Sequence, residues 1–146
     1  MRNILSCVII ITLFMMCKSP HIEFKEFEQK QHEEYKEKIL NNHDAKADNF
    51  SLIIFTYGYY DTKISVVNNN NTLFEGSVKS NESMGYAKTL RVDNEQDVIL
   101  TDIQKDYHFT LKPKLTKKYK YIYIGRNENR RRMYTVTYSN TMRTFK

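Results

Sequence analysis

The sequence predicts an all-β fold, an antiparallel β-sandwich preceded by an apolar leader and a polar helix. From residue 50 onward apolar side chains alternate with polar ones, the pattern of half-buried strands. About seven or eight such stretches follow at spacings of about 8–12 residues, with no helical pattern among them. The chain is rich in tyrosine and asparagine and has only 4 glycines, a composition that suits paired strands.

Residues 1–17 form the leader. One arginine precedes an apolar run that covers about residues 4–16. A transmembrane helix needs roughly 20 apolar residues, so this run is too short to be a free-standing span. Its length is that of the apolar region of a signal peptide. We therefore predict that the protein is exported.

The apolar run ends in the sequence LFMMC at 13–17, which resembles the lipobox of bacterial lipoproteins. The resemblance implies that the Cys17 thiol receives a diacylglyceryl group and that Cys17 becomes the first residue of the mature chain. A plain secretory leader and an uncleaved anchor are the alternatives. The other cysteine, Cys7, also lies in the leader, so a chain processed at Cys17 must hold its folded domain together without a disulfide.

Residues 18–49 are predicted to connect the leader to the folded domain. Residues 23–40 lack glycine and proline and are rich in Glu, Lys and Gln, which favour a helix. The apolar positions Phe24, Phe27, Tyr35 and Ile39 form only a thin stripe, so we expect a tether that holds the domain off the membrane. A partner-docking helix is the alternative. Residues 41–49 are predicted to be a linker, because asparagine and aspartate favour turns.

Residues 50–146 are predicted to form the sandwich domain, which has the size of an immunoglobulin-like module. A small barrel is the alternative. The apolar run at 52–55 indicates a strand covered on both faces, and the four asparagines at 68–71 predict a tight turn. Pro113 is expected to end the strand at 107–112, because proline cannot donate to a sheet.

The last two strands are predicted to form a hairpin from 119–124 and 133–138. With a symmetric loop, Tyr123 faces Tyr134, and the two flanking pairs are Tyr121 with Val136 and Tyr119 with Tyr138. One face then carries an aromatic ladder, which stabilises the pair. Because the opposite face is also apolar, we expect cover on both sides.

The residue patterns favour no catalytic, metal or cofactor site. The histidines have no zinc-ligand spacing, and no Gly-x-Ser-x-Gly sequence occurs. Asp97, Asp102 and Asp106 lie near predicted loop edges. A loop carboxylate site among them is the alternative that would make the protein an enzyme.

The formal net charge is +6, and removal of Arg2 with the leader leaves +5. This charge favours anionic surfaces and does not by itself indicate nucleic acid. Lysines at 112–120 precede the hairpin, and Arg126, Arg130, Arg131 and Arg132 are predicted to decorate its tip. A solvated turn with protective edge lysines is the simpler interpretation.

We therefore predict a small exported protein, lipid-anchored at Cys17 or secreted, that is a non-catalytic binding or structural module of the cell envelope. Its partners are the membrane and a protein or anionic envelope ligand. The predicted contact residues are Tyr119, Tyr121, Tyr123, Arg130, Arg131 and Arg132. An immunity- or inhibitor-type protein, which blocks a toxin or enzyme through its sandwich face, is the alternative function.

Overall fold

The computed structural model describes residues 19–28 and 33–143. These residues form nine strands and two helices. In chain order the elements are β1 (His21–Phe24), α1 (Glu33–Asn42), β2 (Phe50–Phe55), β3 (Thr62–Asn68), β4 (Asn71–Val78), β5 (Lys88–Asp93), β6 (Val98–Asp102), β7 (Tyr107–Leu111), α2 (Pro113–Thr116), β8 (Tyr121–Arg126) and β9 (Tyr134–Ser139).

The strands form two sheets that share one apolar core. The five-stranded sheet has the order β1-β9-β8-β2-β5, and the four-stranded sheet has the order β4-β3-β6-β7. Side chains of both sheets meet in the main buried cluster, among them Ile53, Ile122, Val66 and Leu100. The predicted all-β sandwich is confirmed at this level. The five-stranded sheet is mixed, because β1 pairs with β9 and β2 pairs with β8 in parallel.

The alternating sequence explains most strand positions. In β3, Ile64 and Val66 are buried while Lys63 is exposed. Asn69 and Asn70 both have positive φ, so the predicted asparagine turn is confirmed by the backbone conformation that asparagine tolerates. Pro113 ends the strand as predicted and also starts α2, a short helix that the sequence pattern did not reveal.

The hairpin of β8 and β9 has a different register from the predicted one. Tyr123 lies opposite Thr137, and Arg126 lies opposite Tyr134. The shift is by an odd number of residues, which exchanges the faces of one strand relative to the other. Tyr121 and Tyr123 therefore lie on the outer face, whereas the β9 tyrosines, Tyr134 and Tyr138, lie in the core between the sheets. The predicted aromatic ladder is wrong, although the expected cover on both faces is confirmed by burial throughout β8.

The predicted tether is also corrected. Residues 21–24 form β1, a strand rather than a helix, and β1 adds to the edge of the five-stranded sheet beside β9. The helix begins at Glu33 and places Leu40 against the outer face of that sheet. In the predicted linker, Ala45 is fully buried. The few apolar side chains of the helix are enough for it to pack on the domain, because β2 and β8 present an apolar outer face that they can cover.

This outer face forms a second, smaller core. Leu40 and Ala45 pack there against side chains from β2 and β8, which are Leu52, Ile54, Tyr121 and Tyr123. The leader and Cys17 lie outside the described residues. Among the residues that are described, no helix is long and apolar enough to cross a membrane.

Candidate functional site

The features that suggest function lie at one end of the sandwich. β2 and β8 both run towards this end, and β9 starts from it, so the loops 56–61 and 127–133 lie side by side. Loops 79–87 and 103–106 lie at the same end, because β4 and β6 finish there. We call this the hairpin end. Loops 69–70 and 94–97 lie at the opposite end, because β3 ends there and its antiparallel partners β4 and β6 start there.

A buried ionic network lies beneath the loops of the hairpin end. Asp102 ends β6 in one sheet, while Arg126 ends β8 in the other. The Arg126 Nε donates to Asp102 Oδ2 at 3.1 Å, and the Tyr134 hydroxyl donates to the same oxygen at 2.8 Å. The backbone N–H of Lys105 donates to Asp102 Oδ1 at 3.1 Å. The network thus connects the two sheets and holds the start of loop 103–106.

The charged members of the network are almost completely shielded from solvent. Asp102 is 0% exposed and Arg126 is 3% exposed. Burial alone would lower the pKa of Arg126, but hydrogen bonding to Glu128 and the nearby Tyr134 and Asp102 outweigh it and raise that pKa. Burial and the hydrogen bond to Asp102 raise the pKa of Tyr134. The raised pKa of Tyr134 keeps its hydroxyl protonated, as the hydrogen bond that it donates to Asp102 requires.

Loop 56–61 is held in place by two glycines. Gly58 has φ of +84°, and a Cβ at this position would overlap the carbonyl oxygen of Arg126. A Cβ on Gly125 would overlap the ring of Tyr57. The loop is further joined to β8 by a hydrogen bond from the Arg126 N–H to the Tyr57 carbonyl at 3.0 Å. It presents two aromatic side chains to solvent, Tyr57 at 47% and Tyr60 at 76% exposure.

Loop 127–133 carries the predicted arginines. Its ends are joined by the Asn127 N–H, which donates to the Met133 carbonyl at 2.7 Å. Arg130, Arg131 and Arg132 are all exposed, and together with His21 they line a depression of about 340 Å³. We call these four residues the arginine corner. None of the three arginines makes an ion pair with any residue that the structure describes.

A groove of about 320 Å³ continues from the arginine corner across the outer face of the sheet. Thr135 lines both the depression and the groove. The lining of the groove combines small or hydroxyl-bearing side chains with aromatic and charged ones, the charged ones being Glu23, Lys25 and Arg143. Cationic and hydroxyl groups on a concave surface can bind an anionic group that also accepts hydrogen bonds.

The six predicted contact residues do not form one surface. The three arginines are exposed at the hairpin end, as described above. Tyr121 and Tyr123 are buried under α1 and the neighbouring segments, and Tyr119 is half-buried against Phe24 and Tyr138. The tyrosines therefore stabilise the domain, and of the predicted set only the arginines are available for contact.

Arg126 also departs from its predicted place at the loop tip, because it is buried and paired with Asp102. Two of the predicted loop carboxylates, Asp97 and Asp102, lie at opposite ends of the sandwich. Asp97 pairs with Lys112 at the end opposite the hairpin, whereas Asp102 is committed to Arg126. No group of three or more potential metal ligands occurs within the described residues.

Sequence reasoning missed the ionic network and the exposed tyrosines of loop 56–61. The only available signal was the pair of glycines, Gly58 and Gly125, in a chain that has few. Comparison with protein-family models and with curated proteins finds no match for this chain. The functional proposal therefore depends on the chemistry of the hairpin end.

Proposed function

We propose that this is a small exported, lipid-anchored, non-catalytic protein of the cell envelope that binds an anionic envelope ligand through its arginine corner. The observation that carries the proposal is the exposure of three consecutive arginines, without an ion pair among the described residues, beside a concave hydroxyl-lined surface. Arginine suits phosphate and carboxylate ligands because its planar guanidinium can donate two parallel hydrogen bonds.

The anchor is part of the proposal. The lipobox-like sequence that ends at Cys17 supports acylation of that thiol, with a plain secretory leader or an uncleaved anchor as the alternatives. The immunoglobulin-like assignment also stays a prediction. An immunoglobulin-like fold for this chain would have to include the two parallel strand pairs of the five-stranded sheet.

A binding role suits the structure of the hairpin end better than a catalytic role. The buried carboxylate of Asp102 already accepts hydrogen bonds from three donors. The network keeps the loops in one arrangement, which lowers the entropic cost of binding a ligand at their surface.

The triple variant R130A/R131A/R132A should lose affinity for a soluble polyanion by at least about tenfold, since each surface cation contributes roughly 1 kcal/mol to such binding. The measurement is titration of the detergent-solubilised full chain with fluorescent dextran sulfate at several salt concentrations. The affinity of the unsubstituted chain should fall as salt rises, and the variant should show a smaller salt dependence.

The matched control is K114A/K117A/K118A, which removes three exposed lysines near the opposite end of the sandwich. It causes the same loss of charge and should leave most of the affinity intact. Equal losses in the two variants would show that net charge alone drives binding and would contradict a defined site at the arginine corner.

A further inference from the structure

We propose that the ligand of the arginine corner is the anionic phospholipid headgroup layer of the bilayer that holds the protein's own anchor, so that the hairpin end lies on the membrane. This inference rests on the proposed function, because it requires attachment to a membrane through the leader. It identifies the ligand class and fixes the orientation of the domain.

Only a short length of chain separates the anchor from the hairpin end. His21 is the first residue of β1, and it lies opposite Thr135 near the start of β9. Cys17 is four residues earlier. Four extended residues span at most about 14 Å, whereas a strand of seven residues alone spans about 23 Å. An anchor at Cys17 therefore keeps the hairpin end close to the bilayer and cannot reach past the opposite end of the sandwich.

The strand at 21–24 restricts the orientation of the domain relative to the anchor. A helix over residues 23–40 would have allowed the domain to stand away from the bilayer in any orientation. Instead β1 is hydrogen-bonded into the sheet from His21 onward, and the segment after it is fixed by the Lys25 N–H, which donates to the Tyr138 carbonyl at 3.1 Å. The same geometry holds if the leader is retained as an uncleaved anchor.

Exposed apolar and aromatic side chains occur in the loops of the hairpin end. Of the nine large exposed hydrophobic side chains among the described residues, five lie at the hairpin end, in β1 and in three loops: Ile22, Tyr57, Tyr60, Met84 and Ile103. The other four are Phe24, Tyr35, Leu73 and Ile99. Tyrosine is enriched at membrane interfaces, where its ring contacts the acyl boundary and its hydroxyl stays hydrated. Tyr60, at 76% exposure on a loop held by Gly58, is the best placed of these side chains to insert.

The arginine corner carries a local concentration of basic side chains. Anionic leaflets attract basic side chains within about one Debye length, which is about 8 Å at physiological ionic strength. The arginine corner includes His21 itself, so it lies at the point where the chain leaves the domain towards the anchor. Acidic side chains also occur at this end, among them Asp61, Glu82, Asp106 and Glu128, and the Glu23 carboxylate lies 3.3 Å from the His21 ring. The basic side chains are therefore concentrated at the arginine corner. We expect the domain to tilt so that this corner is the part of the hairpin end nearest to the lipid.

The test measures which end of the domain contacts the lipid. Full chain from native membranes is reconstituted into nanodiscs of phosphatidylcholine, with or without about 30% phosphatidylglycerol. A fluorophore is attached at Y60C, with N70C at the opposite end as the matched control. Spin-labelled headgroup lipids act as the quencher, and the signal from Cys7 and Cys17 is measured on the unsubstituted chain.

In discs that contain phosphatidylglycerol, the label at position 60 should be quenched at least about threefold more strongly than the label at position 70, given the strand length between them. R130A/R131A/R132A should reduce the quenching at position 60 to the level seen in phosphatidylcholine, and K114A/K117A/K118A should not. Equal quenching at the two positions, stronger quenching at position 70, or no effect of the arginine variant would overturn the orientation.

The two experiments can contradict the two proposals independently. If dextran sulfate binding depends on the arginine corner but the label at position 60 is not quenched, then the domain binds an anionic ligand other than its own bilayer. That outcome leaves the proposed function standing and overturns the headgroup inference. If neither experiment depends on the arginines, both proposals fail.

Discussion

Replacement of Asp102 by alanine should lower the free energy of unfolding by about 3 kcal/mol, because a buried guanidinium loses one of its two carboxylate partners and a buried hydroxyl loses its acceptor. Arg126 would then remain buried at 3% exposure with its Nε unpaired and only the exposed Glu128 carboxylate on another nitrogen, and the Tyr134 hydroxyl would lose its acceptor. The effect is measurable by urea unfolding, followed by far-ultraviolet circular dichroism.

Asp97 provides a matched control for this prediction. It is also an aspartate that pairs with a basic side chain, Lys112, but both partners are exposed. D97A should cost less than about 1 kcal/mol because exposed ion pairs contribute little. The double variant D102L/R126M should recover part of the loss, since it removes both charges together. A loss for D102A no larger than that for D97A would show that the buried network does not connect the sheets.

Replacement of Gly58 by alanine should lower the free energy of unfolding by about 2–5 kcal/mol and displace loop 56–61. Two costs combine at this position. A residue with a side chain is strained at φ of +84°, and the added Cβ would overlap the Arg126 carbonyl oxygen, which belongs to the backbone and cannot rotate away. Chemical denaturation measures the stability, and the fluorophore at Y60C reports the loop.

Gly76 is the control for Gly58. Its φ is not in the positive region, and a Cβ there would meet only the Phe74 ring at 3.3 Å. A side chain can adjust where backbone cannot, so G76A should change the free energy of unfolding by less than about 1 kcal/mol. If G58A were as mild as G76A, the loop would not be fixed against β8, and the defined presentation of Tyr60 would lose its structural basis.

The sandwich could be predicted because its strands obey a simple rule. In β3 and β7 the apolar side chains alternate with polar ones, so one face of each strand is clearly the buried face. The turn at Asn69 and Asn70 and the end of β7 before Pro113 follow equally from local chemistry. These features depend on residues that are adjacent in the sequence, so a local sequence pattern is enough to predict them.

The hairpin register could not be predicted from the same kind of pattern. β8 alternates tyrosine with isoleucine, so both of its faces are apolar and alternation does not specify which of them is buried between the sheets, whereas β9 has one apolar and one hydroxyl-bearing face. In the folded chain β8 continues beyond Ile124 to Arg126, and the Arg126 side chain pairs with Asp102 of the other sheet. Those two residues are 24 positions apart in the chain.

The tether was mispredicted for a related reason. Residues 21–24 are polar enough for an exposed segment, and helix propensity favours the long Glu- and Lys-rich run. Only the open edge of β9 makes β1 a strand, since its backbone groups pair there. Tertiary pairing overrides the local preference, and this changes the expected relation of the domain to its anchor.

The central claim is that a lipid-anchored chain holds its hairpin end at an envelope membrane. The most direct measurement is the intact mass of the protein purified from its native membrane fraction. The account predicts the mass of a chain that starts at Cys17 plus that of its acyl groups. A soluble chain without acyl groups, cut at another residue, would contradict the anchor and with it the orientation of the domain.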